Sequence, residues 1–109
     1  MEYNKLVRDK IDEKIRSNWE YPITRILSDE EFKIELIKKL KEEFTELEEA
    51  ISLNDKNKIK EETADLLEVV KTYNELVDNS FGDVITTMVE KREKRGGFTR
   101  KLFLERVEK

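Results

Sequence analysis

The sequence predicts an all-α protein in which four helices form a bundle. Long stretches are rich in Glu, Lys and Leu, and only one Pro and three Gly occur in 109 residues, a composition that favours helix over strand. Apolar residues also recur at spacings of three and four, the period of an amphipathic helix. Because no Pro-, Gly- or Ser-rich stretch divides the chain, we expect a single domain over residues 1–109.

The first segment is predicted to be a short helix and the next one an extended strand. Between Tyr3 and Ser17, the apolar residues Val7, Ile11 and Ile15 are four apart, as on one helix face. Residues 21–27 partly alternate apolar and polar side chains and contain the only Pro, which favours an extended segment or an edge strand over a helix. Two alternatives stay open for the tail, residues 98–109: a strand that pairs with residues 21–27 in a small β element, or a short helix.

Two long helices are predicted in the middle of the chain. Ser28 followed by Glu31 is a capping box, so a helix should begin there and continue to about Ile51. A turn around Asn54 should then lead into a third helix, from about Lys56 to Asp78. The predicted inward-facing residues are Ile37, Leu40, Phe44, Leu47 and Ile51 on the second helix, and Ile59, Leu66, Val70, Tyr73 and Val77 on the third.

The fourth helix is bounded by a cap and a pair of glycines. Ser80, three residues before Asp83, is suited to the N-cap position, and Gly96-Gly97 should end the helix. Its predicted inward-facing residues are Phe81, Val84, Ile85 and Met88.

Four acidic residues are spaced symmetrically about the turn at Asn54. Glu43 and Glu46 are three apart on the second helix, and Glu62 and Asp65 are three apart on the third. In an antiparallel helical hairpin, Glu43 would lie level with Asp65, and Glu46 level with Glu62. We expect Glu62 inside the apolar stripe and Glu43 at its edge. The alternative is an ordinary solvated face, since the chain has 26 acidic residues.

These carboxylates are candidate metal ligands. The chain contains neither Cys nor His, so any metal must be bound by oxygen. Four neighbouring carboxylates would raise one another's pKa, whereas a divalent cation would keep them ionised. The expected cofactor is Mg²⁺, with Mn²⁺ as a substitute.

Two groups of cations are candidate phosphate ligands. If the third and fourth helices run antiparallel about the turn at Asn79-Ser80, the end of the fourth helix lies beside the carboxylates. There Lys91 and Arg95 could face a phosphate, and Gly96-Gly97 could offer backbone N–H groups. The alternative is that these cations complement the helix dipole. Near the N-terminus a second cationic group, for which ordinary surface charge is the alternative, consists of Lys5, Arg8 and Lys10.

Charge and hydropathy exclude other classes of protein. No apolar run approaches the roughly 20 residues that span a bilayer, and the N-terminus lacks a signal peptide, so we expect a cytoplasmic protein. A net charge of −4 argues against binding a nucleic acid polymer. A helical chain of this size and charge is expected to form a homodimer or a higher homo-oligomer.

The motifs resemble those of the MazG-like, all-α nucleotide pyrophosphohydrolases, whose signature is EExxE followed by ExxD. Here the first motif is Glu42-Glu43-Phe44-Thr45-Glu46 and the second is Glu62-Thr63-Ala64-Asp65. The flanking sequences, residues 3–11 and 94–98, are similar to the ends of a phosphoribosyl-ATP pyrophosphohydrolase-like branch. One departure is Asp12, where that branch usually has Pro.

The resemblance implies that Glu43, Glu46, Glu62 and Asp65 ligate Mg²⁺. It also implies hydrolysis of a nucleotide between its α and β phosphates, which gives a monophosphate and pyrophosphate. Two other interpretations stay open: a non-catalytic helical sensor that binds a nucleotide, and a dimerising adaptor module.

Overall fold

A computed structural model describes all 109 residues of the protein. It contains four helices, α1 (Ile11–Ser17), α2 (Asp29–Ser52), α3 (Lys56–Leu76) and α4 (Phe81–Arg95). No residue is in a strand. The prediction of an all-α protein with four helices is therefore confirmed. None of the helices combines the length and apolarity that a bilayer-spanning segment requires.

The chain divides into two compact units within α3. The first unit, Met1–Tyr73, contains α1, α2 and most of α3, and the second, Asn74–Lys109, contains the end of α3, α4 and the tail. That the chain is a single domain stays a prediction.

Helix α2 begins and ends where its sequence signals predict. The Ser28 hydroxyl accepts a hydrogen bond from the Glu31 backbone N–H at 3.2 Å, and the Glu31 carboxylate accepts one from the Ser28 N–H at 3.3 Å. This is the reciprocal capping box, which satisfies two of the free N–H groups at the helix start. Asn54 follows the helix with a φ of 52°, a left-handed conformation that asparagine tolerates, and this turns the chain into α3.

Helix α4 also has the predicted ends. The Ser80 hydroxyl accepts a hydrogen bond from the Asp83 N–H at 3.1 Å, as expected of an N-cap. At the other end Gly96 has a φ of 81°, and its N–H donates to the Arg92 carbonyl at 2.8 Å. A residue with a Cβ would be strained in that conformation, so glycine suits the position.

The prediction for α1 was too long. The helix begins at Ile11 instead of Tyr3, and Asn4 has a φ of 46°, which no right-handed helix can contain. Lys10 provides no side-chain cap. The spacing of four between Val7 and Ile11 therefore does not mark a continuous helix. A turn precedes α1, which has seven residues.

The small β element was also wrong. Residues 21–27 and 98–109 form neither a strand nor a helix, and their large apolar side chains are exposed except for the half-buried Leu27. Pro22 cannot donate to a β ladder. Lys101 has a φ of 60°, which interrupts the extended conformation that a strand in the tail would need.

The face of α2 that is buried differs from the predicted one. The buried residues are Leu36, Glu43 and Ala50, which are seven apart. Of the predicted stripe only Leu47 is half-buried, while Ile37, Leu40, Phe44 and Ile51 are exposed. The spacing of the stripe predicted the helix correctly but not the direction in which it faces.

Predicted inward residues on the other helices are mostly half-buried. On α3 these are Ile59, Leu66, Val70 and Tyr73, and on α4 they are Phe81 and Val84. Val77 lies beyond the end of α3 and is exposed, as are Ile85 and Met88 on α4.

Candidate metal centre

The candidate metal centre lies on the hairpin formed by α2 and α3. After the turn at Asn54, the Asp55 carboxylate accepts a hydrogen bond from the Lys58 N–H at 3.1 Å, and the Asp55 carbonyl accepts one from the Ile59 N–H at 2.8 Å. These bonds cap the start of α3. The two helices therefore run in opposite directions from a short, ordered turn.

Three carboxylates meet on this hairpin. Glu43 of α2 and Glu62 and Asp65 of α3 each place one carboxylate oxygen within 4.8 Å of the others. Glu43 is only 7% exposed, and the other two are half-buried. The sequence pattern predicts Glu62 to be the more buried of the two glutamates, which is wrong. The order is reversed because α2 buries the face that carries Leu36, Glu43 and Ala50.

Glu46 completes a group of four, which we call the acidic cluster. Its negative charge and its hydrogen bonding raise the pKa of both Glu43 and Glu62. It therefore interacts with a carboxyl group on its own helix and with one on α3. The structure thus brings together the four acidic residues that the sequence singles out.

The acidic cluster makes ionisation of its members unfavourable. The pKa of Glu43 is raised to about 7, mainly by burial and then by the negative charge of Glu46. The pKa of Glu62 is also raised, again mainly by burial and then by its hydrogen bond with Glu46. Burial disfavours a charged carboxylate because water no longer solvates it, and a neighbouring like charge adds to this effect.

Two oxygens of the acidic cluster have no hydrogen-bond partner. They are Glu43 Oε2 and Glu62 Oε2, and both are inaccessible to solvent. Buried polar atoms are almost always paired, so an unpaired one requires an explanation. A divalent cation would supply both the missing interaction and the missing positive charge, and hard cations such as Mg²⁺ prefer carboxylate oxygens. The residues present therefore fit a divalent metal ion.

Arg8 contacts the acidic cluster from the N-terminal segment. Its Nη2 donates a hydrogen bond to Asp65 Oδ1 at 2.7 Å, and its side chain is 60% exposed. The two residues are 57 apart in sequence, so no helical spacing relates them. Of the N-terminal cations predicted to bind phosphate, Arg8 is thus held at the cluster.

The remaining candidate phosphate ligands are two lysines of the first unit and four residues of the second. Lys5 Nζ is 5.7 Å from the centre of the Tyr3 ring, and Lys10 is exposed just before α1. The other four candidates belong to the second unit and are exposed: Lys91, Arg95, Gly96 and Gly97. Their contact with phosphate stays a prediction.

Lys39 is a residue of the site that the sequence analysis missed. Its Nζ lies 3.7 Å from Glu43 Oε1 and 3.5 Å from Glu42 Oε2. The positive charge of Lys39 lowers the pKa of Glu43, although burial and Glu46 outweigh it. The spacing of four between Lys39 and Glu43 is a recognised helical ion pair, so this signal was present in the sequence.

Comparison with known proteins gives one match. The model of the MazG nucleotide pyrophosphohydrolase domain matches residues 33–97, a range that includes the whole acidic cluster. Neither the curated proteins nor the solved structures include a significant match to the chain.

Proposed function

The chain belongs to the MazG nucleotide pyrophosphohydrolase family, and we propose that it is a Mg²⁺-dependent nucleoside triphosphate pyrophosphohydrolase. The reaction would consume one water, break the anhydride bond between the α and β phosphates, and release a nucleoside monophosphate and pyrophosphate. The expected cofactor is Mg²⁺, which Mn²⁺ could replace.

The observation that carries this proposal is the pair of buried, unpartnered oxygens, Glu43 Oε2 and Glu62 Oε2. A solvated acidic face would leave its carboxylates open to water and would not raise their pKa by burial. Here the most buried acid of the chain is Glu43, at the centre of the acidic cluster. Such an arrangement is costly for a folded protein, and it is explained if the cluster binds a cation.

The four carboxylates would hold the metal, and the metal when bound would neutralise charge on the phosphates. The ligands would be Glu43, Glu46, Glu62 and Asp65. Their positions on two helices joined by a short turn fix them relative to one another before a nucleotide arrives. Preorganised charges of this kind require little rearrangement during the reaction.

Arg8 would bind the polyphosphate of the nucleotide. A guanidinium has five N–H donors, and one interaction with Asp65 leaves others free to reach a phosphate oxygen. The contact with Asp65 also fixes the position of a side chain that is otherwise mostly exposed. Arg8 would therefore place positive charge next to the metal ligands, where the charge of the leaving pyrophosphate develops.

A carboxylate of the acidic cluster would accept the proton of the attacking water. The oxygen of this water forms the new bond to phosphorus, and the electron pair of the broken bond leaves with the bridging oxygen. Because the bound metal would keep its ligands ionised, the accepting oxygen would be a carboxylate oxygen of the acidic cluster that the metal leaves free.

The test is a panel of canonical, deoxy and modified nucleoside triphosphates with Mg²⁺. We expect at least one of them to give equal amounts of monophosphate and pyrophosphate, measured by chromatography and ³¹P NMR. A reaction in ¹⁸O-labelled water would show which phosphorus is attacked. EDTA should stop the reaction, and Mn²⁺ should restore it.

Two outcomes would contradict the proposal. If every nucleotide survives at high protein concentration, the protein is not a pyrophosphohydrolase, and saturable binding without turnover would identify a nucleotide sensor instead. If the products are a nucleoside diphosphate and orthophosphate, the assigned cleavage position is wrong.

A further inference from the structure

Two neighbouring lysines of α2 have different partners. Lys39 Nζ lies 3.7 Å from Glu43 Oε1 and 3.5 Å from Glu42 Oε2, and its side chain is 21% exposed. Lys38 pairs with Glu35 at 3.1 Å, and its side chain is 68% exposed. Residues three and four apart share a helix face, so each lysine has a glutamate within reach. Of the two, only Lys39 pairs with a member of the acidic cluster.

The two oxygens of the Glu43 carboxylate have different surroundings. Oε1 faces the ammonium of Lys39, whereas Oε2 is inaccessible to solvent and has no hydrogen-bond partner. The terminal torsion of a glutamate side chain is broad, so it does not by itself fix the plane of the carboxylate. An ion pair at one oxygen supplies that missing constraint and sets the direction of the other oxygen.

The Glu43 side chain would otherwise gain by leaving the acidic cluster. It is 7% exposed, and a charged carboxylate loses its solvation by water at such a position. The negative charge of Glu46 adds to this cost. Lys39 lies one turn nearer the start of α2, the direction in which helical side chains lean. Its ammonium is therefore suitably placed to hold the Glu43 carboxylate.

The same contacts make Lys39 a poor ligand for phosphate. Its ammonium has three N–H donors, and it already faces the two carboxylates of Glu42 and Glu43. Arg8 has five donors and a single carboxylate partner, Asp65. The Lys39 side chain is 21% exposed and that of Arg8 is 60% exposed. A phosphate that arrives from solvent therefore has better access to Arg8.

We propose that Lys39 is a positioning residue that holds Oε1 of Glu43 and so leaves Oε2 for the metal ion. Outer partners of this kind orient metal ligands in many proteins. Glu42 is the second anchor of the Lys39 ammonium, which gives the first acid of the EExxE motif a role other than ligation. The inference rests on the proposed function, because it takes Glu43 as a metal ligand.

Charge and position predict opposite effects when Lys39 is replaced by Gln. A positive charge this close to a ligand repels a bound metal ion, so its removal would by charge alone tighten metal binding. Loss of an outer partner that orients a ligand instead weakens metal binding, typically by about 10–100-fold. The sign of the change therefore separates a positioning residue from a simple neighbouring charge.

The first experiment measures Mn²⁺ binding without nucleotide, from the electron paramagnetic resonance signal of the free ion. We expect Lys39→Gln to raise the dissociation constant at least about tenfold and Lys39→Arg, which keeps the charge, to recover most of this loss. Lys38→Gln is the matched control and should stay within about twofold of the unmodified protein. Circular dichroism checks the helix content. If Lys39→Gln loses helix, Lys39→Met, which keeps the aliphatic part of the side chain, replaces it.

A double-mutant cycle tests the role of Glu42. Glu42→Gln alone should weaken Mn²⁺ binding, by less than Lys39→Gln does. In a chain that already carries Lys39→Gln it should have no further effect, because Glu42 acts through Lys39. Equal effects of Glu42→Gln in the two backgrounds would overturn its assignment as the anchor.

The second experiment uses the nucleotide that the protein hydrolyses best. Lys39→Gln should raise the Mg²⁺ concentration for half-maximal turnover about tenfold, and at saturating Mg²⁺ the KM for the nucleotide should stay within about twofold. A higher nucleotide KM with unchanged Mn²⁺ binding would identify Lys39 as a phosphate ligand and overturn the inference.

The remaining outcomes separate this inference from the proposed function. Unchanged or tighter Mn²⁺ binding in Lys39→Gln, together with weakened binding in Glu43→Gln, would overturn the inference and leave the metal site intact. An unmodified protein that binds no Mn²⁺ would overturn both the metal site and the inference.

Discussion

Glu31 and Glu43 lie on the same helix and have opposite environments. The Glu31 carboxylate accepts hydrogen bonds from Arg25 at 2.9 Å and from the Ser28 backbone N–H and hydroxyl, and its pKa is lowered to about 2. Glu43 is buried among other acids, has an unpartnered oxygen, and has a pKa of about 7. The environment of Glu31 stabilises its charged form, whereas the environment of Glu43 destabilises its charged form.

This contrast separates an acid whose charge the fold stabilises from one whose charge the fold does not compensate. Glu31 has partners for its charge within the chain, so its carboxylate is explained by helix capping alone. Lys39, at 3.7 Å, is the cation that pairs directly with Glu43, and its charge does not compensate for burial. Strongly perturbed carboxyl groups that lack a structural reason are typical of functional sites.

The largest expected effect is the loss of activity in Glu43→Gln. Glutamine keeps the size of the side chain but cannot supply the charge that a metal ligand needs. We expect turnover of the best nucleotide to fall by at least about 100-fold, measured as pyrophosphate release with Mg²⁺. Glu62→Gln should show the same loss.

Glu49→Gln is the matched control, because Glu49 lies on the same helix and is exposed. Its activity should stay within about twofold of the unmodified protein. Equal activity of Glu43→Gln and Glu49→Gln would mean that the acidic cluster does not hold the catalytic metal.

The next effect in size is stabilisation by Mg²⁺. A ligand at 100 times its dissociation constant stabilises the folded state by about 2.7 kcal/mol, which raises the melting temperature of a domain of this size by roughly 10 °C. Glu31→Gln should keep this increase, and Glu43→Gln should lose most of it. An equal increase in both variants would place the bound metal elsewhere in the chain.

The sequence predicts the ends of α2 and α4 and the acidic cluster well because these features depend on local spacing. The capping box at Ser28 and the turn at Asn54 involve neighbours in sequence, and a short turn relates Glu43 to Asp65 by simple reflection. These features require no knowledge of the rest of the fold.

The features that the sequence did not predict depend on distant contacts. The ion pair of Arg8 with Asp65 joins residues 57 apart, and nothing in their spacing indicates it. The burial of Leu36 in place of Ile37 depends on which side of α2 meets the rest of its unit. An amphipathic pattern with two neighbouring apolar rows, here Leu36 and Ala50 beside Ile37 and Ile51, does not show which row the chain buries.

Opposite pH dependences should follow from the two glutamates in the metal-free protein. The ordinary pKa of both is 4.5. Because the folded state raises the pKa of Glu43, its contribution to stability is fully present below about pH 4.5 and is lost as the pH rises to about 7. Because the folded state lowers the pKa of Glu31, its contribution is present above pH 4.5 and is lost as the pH falls towards 2.

Urea unfolding in the presence of EDTA would measure these dependences. The unmodified protein and each Gln variant would be compared between roughly pH 3 and pH 8. The stability of Glu43→Gln relative to the unmodified protein should rise between pH 4.5 and 7, whereas that of Glu31→Gln should fall as the pH increases from 3 to 5. Parallel curves for the two variants would contradict the assigned environments.

The smallest expected effect belongs to the capping box. Glu31→Gln keeps an oxygen that can accept a hydrogen bond from the Ser28 N–H, as glutamine does in natural capping boxes. It loses only the ion pair with Arg25, whose side chain is 69% exposed. Exposed ion pairs contribute little, so the melting temperature at pH 7 should fall by no more than about 2 °C. Glu31→Ala also removes the acceptor of the Ser28 N–H, and should lower it further, by less than the roughly 4–8 °C of a fully lost cap, because the Ser28 hydroxyl still caps the helix. Neither variant should change turnover, because Glu31 lies 12 residues, or about 18 Å along α2, from Glu43. If Glu31→Ala inactivates the enzyme while the protein stays folded at the assay temperature, Glu31 has a role beyond capping, and the contrast between the two glutamates does not separate fold from function.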